Sequence, residues 1–381
     1  MAYSTKPTQY NIEDSNIALL RSDLEKHVRE HAGDKEAAWE NAGINSGLQI
    51  WRIERFHVVE WPRDRYGQFY DGDSYIVLHV SWRNDISFSY GLHFWLGGRT
   101  TQDEAGTAAY KTVELDDYLH GKPVQYREVQ GYESSHFLSY FPQFVCLRGG
   151  TTTGFHHVTE PPPQNVHKLY RVDLSHYPNG RSSVVVREVP AEASSLVEGD
   201  VYVLDQGSQI LQFNSTKSAG QERFKAAEFV RSLADQRKDE SEIVVYDEGG
   251  PGASRFLTEL GAEALVPAPA DLSTEITPAT LYKLSDESGF IAFTRVALSE
   301  DSLSSNDAFL LDNSWDSLYP TVYVWLGRDA SLNERRLSVQ YAQDYLHQQK
   351  QKTGRGRIHI PVIKQKEGHE VVGFLHALKG T

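Results

Sequence analysis

The chain has 381 residues, of which 39% are hydrophobic and 24% are charged, and its formal net charge is −14. That acidic balance argues against nucleic acid and anionic membranes as partners, and it favours cations. No stretch is long and apolar enough for a transmembrane helix, and the polar start lacks the basic and apolar regions of a signal peptide. Because Cys146 is the single cysteine, no internal disulfide can form, and we expect a cytoplasmic protein.

Residues 1–47 are predicted to form a helical extension, since apolar residues between 17 and 28 recur at helical spacing. Within it, "HVREH" at 27–31 matches the zinc-binding pattern H-x-x-E-H and places His27 and His31 on one helical face. No third ligand is identifiable, five-letter matches arise by chance, and a solvated histidine pair explains the pattern better. A zinc-dependent hydrolase is therefore a remote alternative to a protein that is not an enzyme.

The rest of the sequence repeats one pattern of strands and helix three times. A first strand, "LQIWRIERF" at 48–56, recurs as "HKLYRVDL" at 167–174 and "ATLYKLSD" at 279–286. Each copy continues with a buried strand that starts after an aspartate, then a second strand such as "LHFWLG" at 92–97, then a long helix that opens on an acid. The pattern predicts three copies of one α+β unit.

Proline-rich segments mark the expected boundaries between these units. The predicted division is a first repeat at 48–158, a linker at 159–166, a second repeat at 167–265, a linker at 266–278 and a third repeat at 279–381.

Each repeat carries a pair of acids, one at the start of its buried strand and one at the start of its long helix. The pairs are Asp73 with Glu104, Asp200 with Glu222, and Asp307 with Glu334. The aspartate alone could be a turn residue, and the glutamate alone could complement the helix dipole. However, a carboxylate at the threshold of a core needs a partner, and two carboxylates with nearby backbone carbonyls form the oxygen-rich site that calcium prefers. No histidine or thiolate recurs with them, which disfavours zinc.

At these residues the chain resembles the gelsolin–villin family, most specifically in "LQIWRIERF", "FYDGDSYIVL", "LHFWLGGRTTQDEAGTAA" and "GGTTTGFHHV". The three-repeat length with an N-terminal extension is most similar to the severin–fragmin subgroup. The resemblance implies an α+β fold in which each repeat is a central mixed β-sheet between one long and one short helix. It also implies a calcium-dependent protein that binds actin monomers and filaments, severs filaments and caps their barbed ends. Capping without severing is the alternative.

The resemblance also implies a set of calcium ligands, several of them through backbone carbonyls. They are Gly72, Asp73, Glu104 and Thr151 in the first repeat; Gly199, Asp200, Glu222 and Asp271 in the second; Asn306, Asp307 and Glu334 in the third; and Asp116, Gly121 and Pro123 at the contact with actin. Asn306 stands where the family usually has glycine, but the ligand there is a main-chain oxygen.

The first long helix carries a second, part-apolar stripe opposite its core stripe, and such a stripe suits a groove on a partner. Its members are Gly106, Tyr110, Val113 and Asp117, which the resemblance assigns to actin together with Phe155. Arg223, beside Glu222 in the second repeat, could reach the side of a filament, and a solvated helix arginine explains it equally well. The family often binds phosphoinositides through a lysine-rich strand before "GGxxxGF". Here Arg148 is the only cation of that strand, so strong phosphoinositide control is not expected.

Overall fold

The computed structural model describes residues 36–83, 87–150, 166–176, 182–237, 241–268, 278–285, 292–316, 320–353 and 360–379. Seventeen strands and six α-helices lie within these ranges. Several residues singled out above fall outside the described residues, namely His27, His31, Thr151, Phe155 and Asp271.

The first repeat begins where its predicted first strand begins. Its elements are β1 (Gly47–Glu54), β2 (His57–Glu60), β3 (Gln68–Tyr70), β4 (Ser74–Arg83), β5 (Ser87–Leu96), α1 (Gln102–Tyr118), β6 (Val124–Val129), α2 (Ser135–Leu138) and β7 (Phe144–Leu147). Helix α1 starts at the predicted acidic segment, because the Thr101 side chain caps it by accepting a hydrogen bond from the backbone N–H of Glu104.

The second and third repeats share one succession of elements, which has no counterpart of β3 or β7 among the described residues. The second contains β8 (Lys168–His176), β9 (Ser182–Val189), β10 (Val201–Asp205), β11 (Gln209–Asn214), α3 (Gly220–Gln236), β12 (Glu242–Asp247) and α4 (Ala253–Glu259). The third contains β13 (Thr280–Ser285), β14 (Ala292–Val296), β15 (Ala308–Asn313), β16 (Thr321–Leu326), α5 (Leu332–Thr353), β17 (Val362–Lys366) and α6 (Val372–Lys379).

Five strands in each repeat are paired in the same order. These orders are β2-β1-β4-β5-β6, β9-β8-β10-β11-β12 and β14-β13-β15-β16-β17. The last pair is parallel in every repeat and the other pairs are antiparallel, so the sheets are mixed. The long helix covers one face and the short helix covers the other, each over its own cluster of buried apolar side chains. The predicted α+β repeat is confirmed.

The sheets of different repeats also join, which the sequence did not indicate. Strand β17 of the third repeat pairs antiparallel with β6 of the first, and this forms one ten-stranded sheet. Strand β7 of the first repeat pairs with β9 of the second, and β3 extends that sheet to seven strands. The first repeat is therefore held by both of the others through main-chain hydrogen bonds.

Helix α1 packs on the ten-stranded sheet through the predicted core stripe. Of its predicted members, Ala108, Thr112, Leu115 and Leu119 are buried and Ala105 is partly buried. Ahead of the repeat, the indole of Trp39 is fully buried and donates to Glu114 of α1 at 2.8 Å, so residues just before β1 are fastened to this helix. Among the described residues, no helix has both the length and the apolar character needed to cross a membrane.

Candidate metal centres and partner-binding helix

The three strand-start aspartates lie in the same backbone setting. In each repeat the carbonyl oxygen of the aspartate accepts a hydrogen bond from the backbone N–H of the residue that follows the second long strand. The N···O distances are 3.1 Å from Gly97 to Asp73, 3.4 Å from Ser215 to Asp200 and 2.9 Å from Gly327 to Asp307. The aspartate and the turn that leads into the long helix therefore meet at one corner of the sheet.

In the first repeat this corner depends on close approaches that only glycine allows. Gly72 donates its N–H to the carbonyl of Gly149 at 2.7 Å, and a Cβ on Gly72 would stand 2.4 Å from that oxygen. A Cβ on Gly150 would stand 2.6 Å from Oδ1 of Asp73, whose side chain is fully buried. The backbone that leads to Thr151 thus runs directly against the carboxylate, although Thr151 itself is outside the described residues.

The helix-start glutamates are buried, and they also hold the first turns of their helices. Glu104 Oε2 accepts from the Thr101 hydroxyl at 3.1 Å, Glu222 Oε2 from the N–H of Ala219 at 2.7 Å and Glu334 Oε2 from the N–H of Ser331 at 2.8 Å. Glu222 Oε1 also accepts from the N–H of Leu174 at 2.9 Å. The structure therefore shows a capping role. A carboxylate has about four lone-pair positions, so these bonds leave room for a cation.

A cation on the first strand of the same repeat lies beside each strand-start aspartate. The ion pairs are Arg52 Nη1 to Asp73 Oδ2 at 3.4 Å, Arg171 Nε to Asp200 Oδ2 at 2.6 Å and Lys283 Nζ to Asp307 Oδ1 at 2.9 Å. In each sheet the cation is opposite the residue two positions after its aspartate. This partner was not predicted from the sequence, although an aromatic residue followed by a cation recurs in all three first strands. The charge of each aspartate is thus balanced within its own repeat.

The corner of the second repeat is crowded with negative charge. Burial raises the pKa of Asp200; the nearby Arg171 charge lowers this pKa and the Asp173 charge raises it. Burial and the charge of Asp200 likewise raise the pKa of Glu222, against the lowering effect of its backbone hydrogen bonds. Asp173 was not singled out from the sequence, and Arg187 grips its two oxygens at 2.6 and 2.8 Å. Carboxylates whose pKa is raised by burial and by nearby negative charge fit a hard divalent cation.

The corner of the third repeat is more open than the other two. Asn306 is exposed, and the Asp307 side chain keeps 24% of its surface accessible, whereas Glu334 is buried. Within the described ranges, three or more His, Cys, Asp or Glu side chains nowhere converge as a metal cage. The described residues therefore contribute the strand-start and helix-start carboxylates of each corner, and a calcium ion there would need further oxygens from other groups.

The fourth predicted site lies at the C-terminal end of α1. Asp116 is buried, its carbonyl accepts the N–H of Gly121 at 2.7 Å, and Pro123 is buried close by in sequence. Oδ1 of Asp116 has no hydrogen-bond partner among the described residues, and Oδ2 is 4.0 Å from the ammonium of Lys364 in the third repeat. A buried carboxylate oxygen without a donor also fits a hard cation.

The second stripe of α1 is exposed at one end and borders a cleft shared with the third repeat at the other. Gly106 is exposed, and 42% of the Tyr110 surface is accessible. Val113 and Asp117 line a cleft of about 420 Å³, whose opposite wall includes Arg328 of the third repeat. The predicted partner-binding stripe is therefore exposed at its N-terminal end and half-buried at its C-terminal end, where it borders the third repeat.

In the second repeat, Arg223 makes hydrogen bonds to residues just before it in the chain. Its guanidinium donates to the Ser218 hydroxyl at 2.9 Å and to the Ser215 carbonyl at 3.1 Å, which fixes the turn before α3. The neighbouring Phe224, which the sequence analysis did not select, has 63% of its surface exposed. An exposed phenylalanine on a helix surface is a stronger contact candidate than the engaged arginine.

The fold and the acidic corners define a class of tandem-repeat proteins, and comparisons with known proteins identify it. A family model described as the gelsolin repeat matches residues 56–138, 182–254 and 289–375. Gelsolin-like protein 2 of Lumbricus terrestris is 36% identical over 99% of this chain and 100% of its own length, and gelsolin-like protein 1 of the same organism is 40% identical over 85% and 86%. Gelsolin of Gallus gallus is 39% identical over 82% of this chain, which spans 40% of that longer protein.

The chain belongs to the gelsolin family. Proteins of this family are regulators rather than enzymes, and the family is in general regulated by calcium. As a member of this family, the protein is a regulator rather than an enzyme.

Proposed function

We propose that this protein binds actin under calcium control, severs actin filaments, caps their barbed ends and also nucleates new filaments, in the cytoplasm. The observation that carries the proposal is the buried acidic corner, which recurs in the same backbone setting in three repeats of a gelsolin-family chain. Strong phosphoinositide control is not part of the proposal, because the strand before Gly149 holds Arg148 as its only cation.

Calcium bound at these corners would supply a divalent charge that neutralises each pair of carboxylates. The ligands proposed for the first corner are Asp73, Glu104 and the carbonyls of Gly72 and Thr151; for the second, Asp200, Glu222, Asp271 and the carbonyl of Gly199; for the third, Asp307, Glu334 and the carbonyl of Asn306. At the actin contact they are Asp116 and the carbonyls of Gly121 and Pro123. The support is strongest for the first and second corners, because both carboxylates of each corner are buried.

The second stripe of α1 would bind actin. Tyr110 and Val113 would enter an apolar groove on actin, Gly106 would allow close approach and Asp117 would lie at the edge, with Phe155 as a further contact. In the second repeat, Arg223 and the exposed Phe224 would lie towards the side of the filament. Residues of the third repeat line a cleft together with Val113 and Asp117. The arrangement in which the third repeat is docked on the first is therefore proposed to be the inactive one.

Single-filament fluorescence microscopy tests the function directly. Preformed filaments exposed to the protein in calcium should break along their length and then stop growing at their barbed ends. In chelator the filaments should stay intact and keep growing. Blocked growth without breaks would favour the capping-only alternative, and breakage at the same rate in chelator would overturn the calcium control.

The first-strand cations lead to a prediction about calcium affinity. Arg171→Gln should tighten calcium binding at the second corner about fivefold, because the ion no longer displaces a guanidinium that is worth about 1 kcal/mol at a partly exposed position. The melting temperature in chelator should fall slightly, since Asp200 loses its ion pair. Isothermal titration calorimetry and thermal melts provide the readouts.

The matched control is Arg231→Gln, which removes an exposed arginine of the same repeat that pairs with Asp235 on α3. It should leave the calcium affinity unchanged. An Arg171→Gln protein with wild-type or weaker affinity for calcium would show that the guanidinium does not compete with the ion.

A further inference from the structure

A lysine of the third repeat reaches the fourth predicted site. Val362 and Lys364 are two residues apart on β17, so their side chains leave the same face of the sheet, and Val362 packs in the core cluster beneath α5. This is the face that α1 covers in the first repeat, since Val339 of α5 packs against the cluster beneath α1. The side chain of Lys364 therefore lies between α1 and α5, and its Nζ is 4.0 Å from Oδ2 of Asp116.

The surroundings of Lys364 are unusual for an ammonium group. Only 5% of its surface is accessible. Burial and the charge of Lys366 lower its pKa, while the carboxylates of Asp116 and Asp117 raise it. At 4.0 Å the ammonium is beyond hydrogen-bond distance of Asp116, so the pair is an electrostatic contact without the geometry that makes a buried ion pair strongly favourable.

A second ammonium approaches the loop that follows α1. A Cβ placed on Gly121 would stand 3.0 Å from Nζ of Lys366. Two lysines of β17 therefore lie against the carboxylate and the loop to which a calcium ion is assigned in the proposed function. The third repeat thus brings positive charge to the one acidic site whose cation is not supplied by its own repeat.

We infer that Lys364 is a tethered cation that occupies the place of a divalent ion at Asp116, so that ion binding at Asp116 and docking of the third repeat on the first exclude each other. The inference rests on the proposed calcium site at Asp116. A divalent ion bound to that carboxylate would repel the ammonium and take away the negative charge that Asp116 offers it. By linkage, the ion weakens docking by the same factor as docking weakens binding of the ion.

The third repeat can leave the first only if the pairing of β6 with β17 breaks. This pairing is short, which makes such a competition effective. Strands β6 and β17 pair at three positions, Val362 with Arg127, Ile363 with Tyr126 and Lys364 with Gln125. Lys364 is itself one of these positions, so displacing its side chain acts directly on the pairing. Breaking this strand pairing would uncover Val113 and Asp117, which line the adjoining cleft.

The test uses the full chain with Lys364→Met, which keeps the length of the side chain and removes its charge. Isothermal titration with calcium should show tighter binding at the Asp116 site, by about tenfold, because one unit of competing charge is gone. Hydrogen exchange at the β6 backbone should rise on calcium addition in the wild type, and this calcium-induced rise should shrink in the variant. Lys364→Gln provides the same test if the methionine variant folds poorly.

Two controls separate this inference from the proposed function. Lys364→Arg retains the charge and Lys379→Met removes an exposed charge of the same repeat, so both should behave as the wild type. Asp116→Asn should remove one bound ion. If Asp116→Asn leaves the calcium stoichiometry unchanged, the proposed site at Asp116 is wrong. If it removes one ion while the variants without the Lys364 charge retain wild-type affinity and exchange, the tethered-cation inference alone is overturned.

Discussion

Replacing Tyr110 and Val113 together by aspartate is expected to lower the affinity for monomeric actin by at least about 100-fold, because two charges would enter an apolar groove without partners. Both residues lie on the second stripe of α1, and Tyr110 is already exposed, so little of the first repeat's core is affected. The affinity can be measured by sedimentation velocity or by fluorescence anisotropy with labelled actin in saturating calcium. Severing should be lost together with monomer binding.

The matched control carries the same substitutions elsewhere on the first repeat. Tyr132 and Val59 are 44% and 38% exposed and lie outside α1. Tyr132→Asp with Val59→Asp should retain wild-type affinity for actin. Equal losses in the two double variants would mean that negative charge on this repeat, and not the α1 stripe, weakens the complex, and our assignment of the partner-binding helix would be wrong.

Calcium is expected to raise the melting temperature of the wild type, and replacing the three strand-start aspartates by asparagine should remove most of that rise. Each site occupied at 100 times its Kd contributes about 2.7 kcal/mol to the free energy of unfolding. Asp73→Asn also removes one of the two carboxylates beside the buried Arg52, which keeps its pair with Glu54, so the triple variant should melt lower in chelator as well. The quantity to compare is therefore the calcium-induced shift, measured by calorimetry or fluorescence.

An equal change of net charge at exposed positions is the control for this experiment. Asp64, Asp235 and Asp301 are exposed aspartates, one in each repeat, and their replacement by asparagine should leave the shift intact. Magnesium should give a smaller shift than calcium in the wild type, because it requires a tighter octahedral site. A triple corner variant with the full wild-type shift would place the calcium elsewhere.

The sequence was sufficient to predict the repeat unit and the elements within it. Recurring first strands, aspartate-led buried strands and acid-led helices predicted β1, β4, β5 and α1 in the first repeat, and the structure has their equivalents in the other two. These predictions succeed because the alternation of apolar residues and the capping of helices are local properties of the chain.

The sequence could not predict how the sheets of separate repeats join. The pairing of β17 with β6 uses backbone groups, which carry no side-chain signature, and it links residues more than two hundred positions apart. For the same reason Lys364 in "VIKQK" reads as an ordinary polar position of a strand, although its side chain is buried beside Asp116. The partners of the strand-start aspartates were not predicted for another reason. Arg52, Arg171 and Lys283 stand at the same position in the three first strands, but charged residues on a strand are usually solvent-exposed.

The most direct test of the central claim is the affinity of the unaltered chain for monomeric actin, measured once in saturating calcium and once in chelator. The account predicts tight binding in calcium and a large loss of affinity in chelator, because ions at the acidic corners and at Asp116 favour the arrangement in which α1 is uncovered. The same affinity in both conditions would contradict it, because the stripe of α1 would then be available whether or not the corners hold calcium.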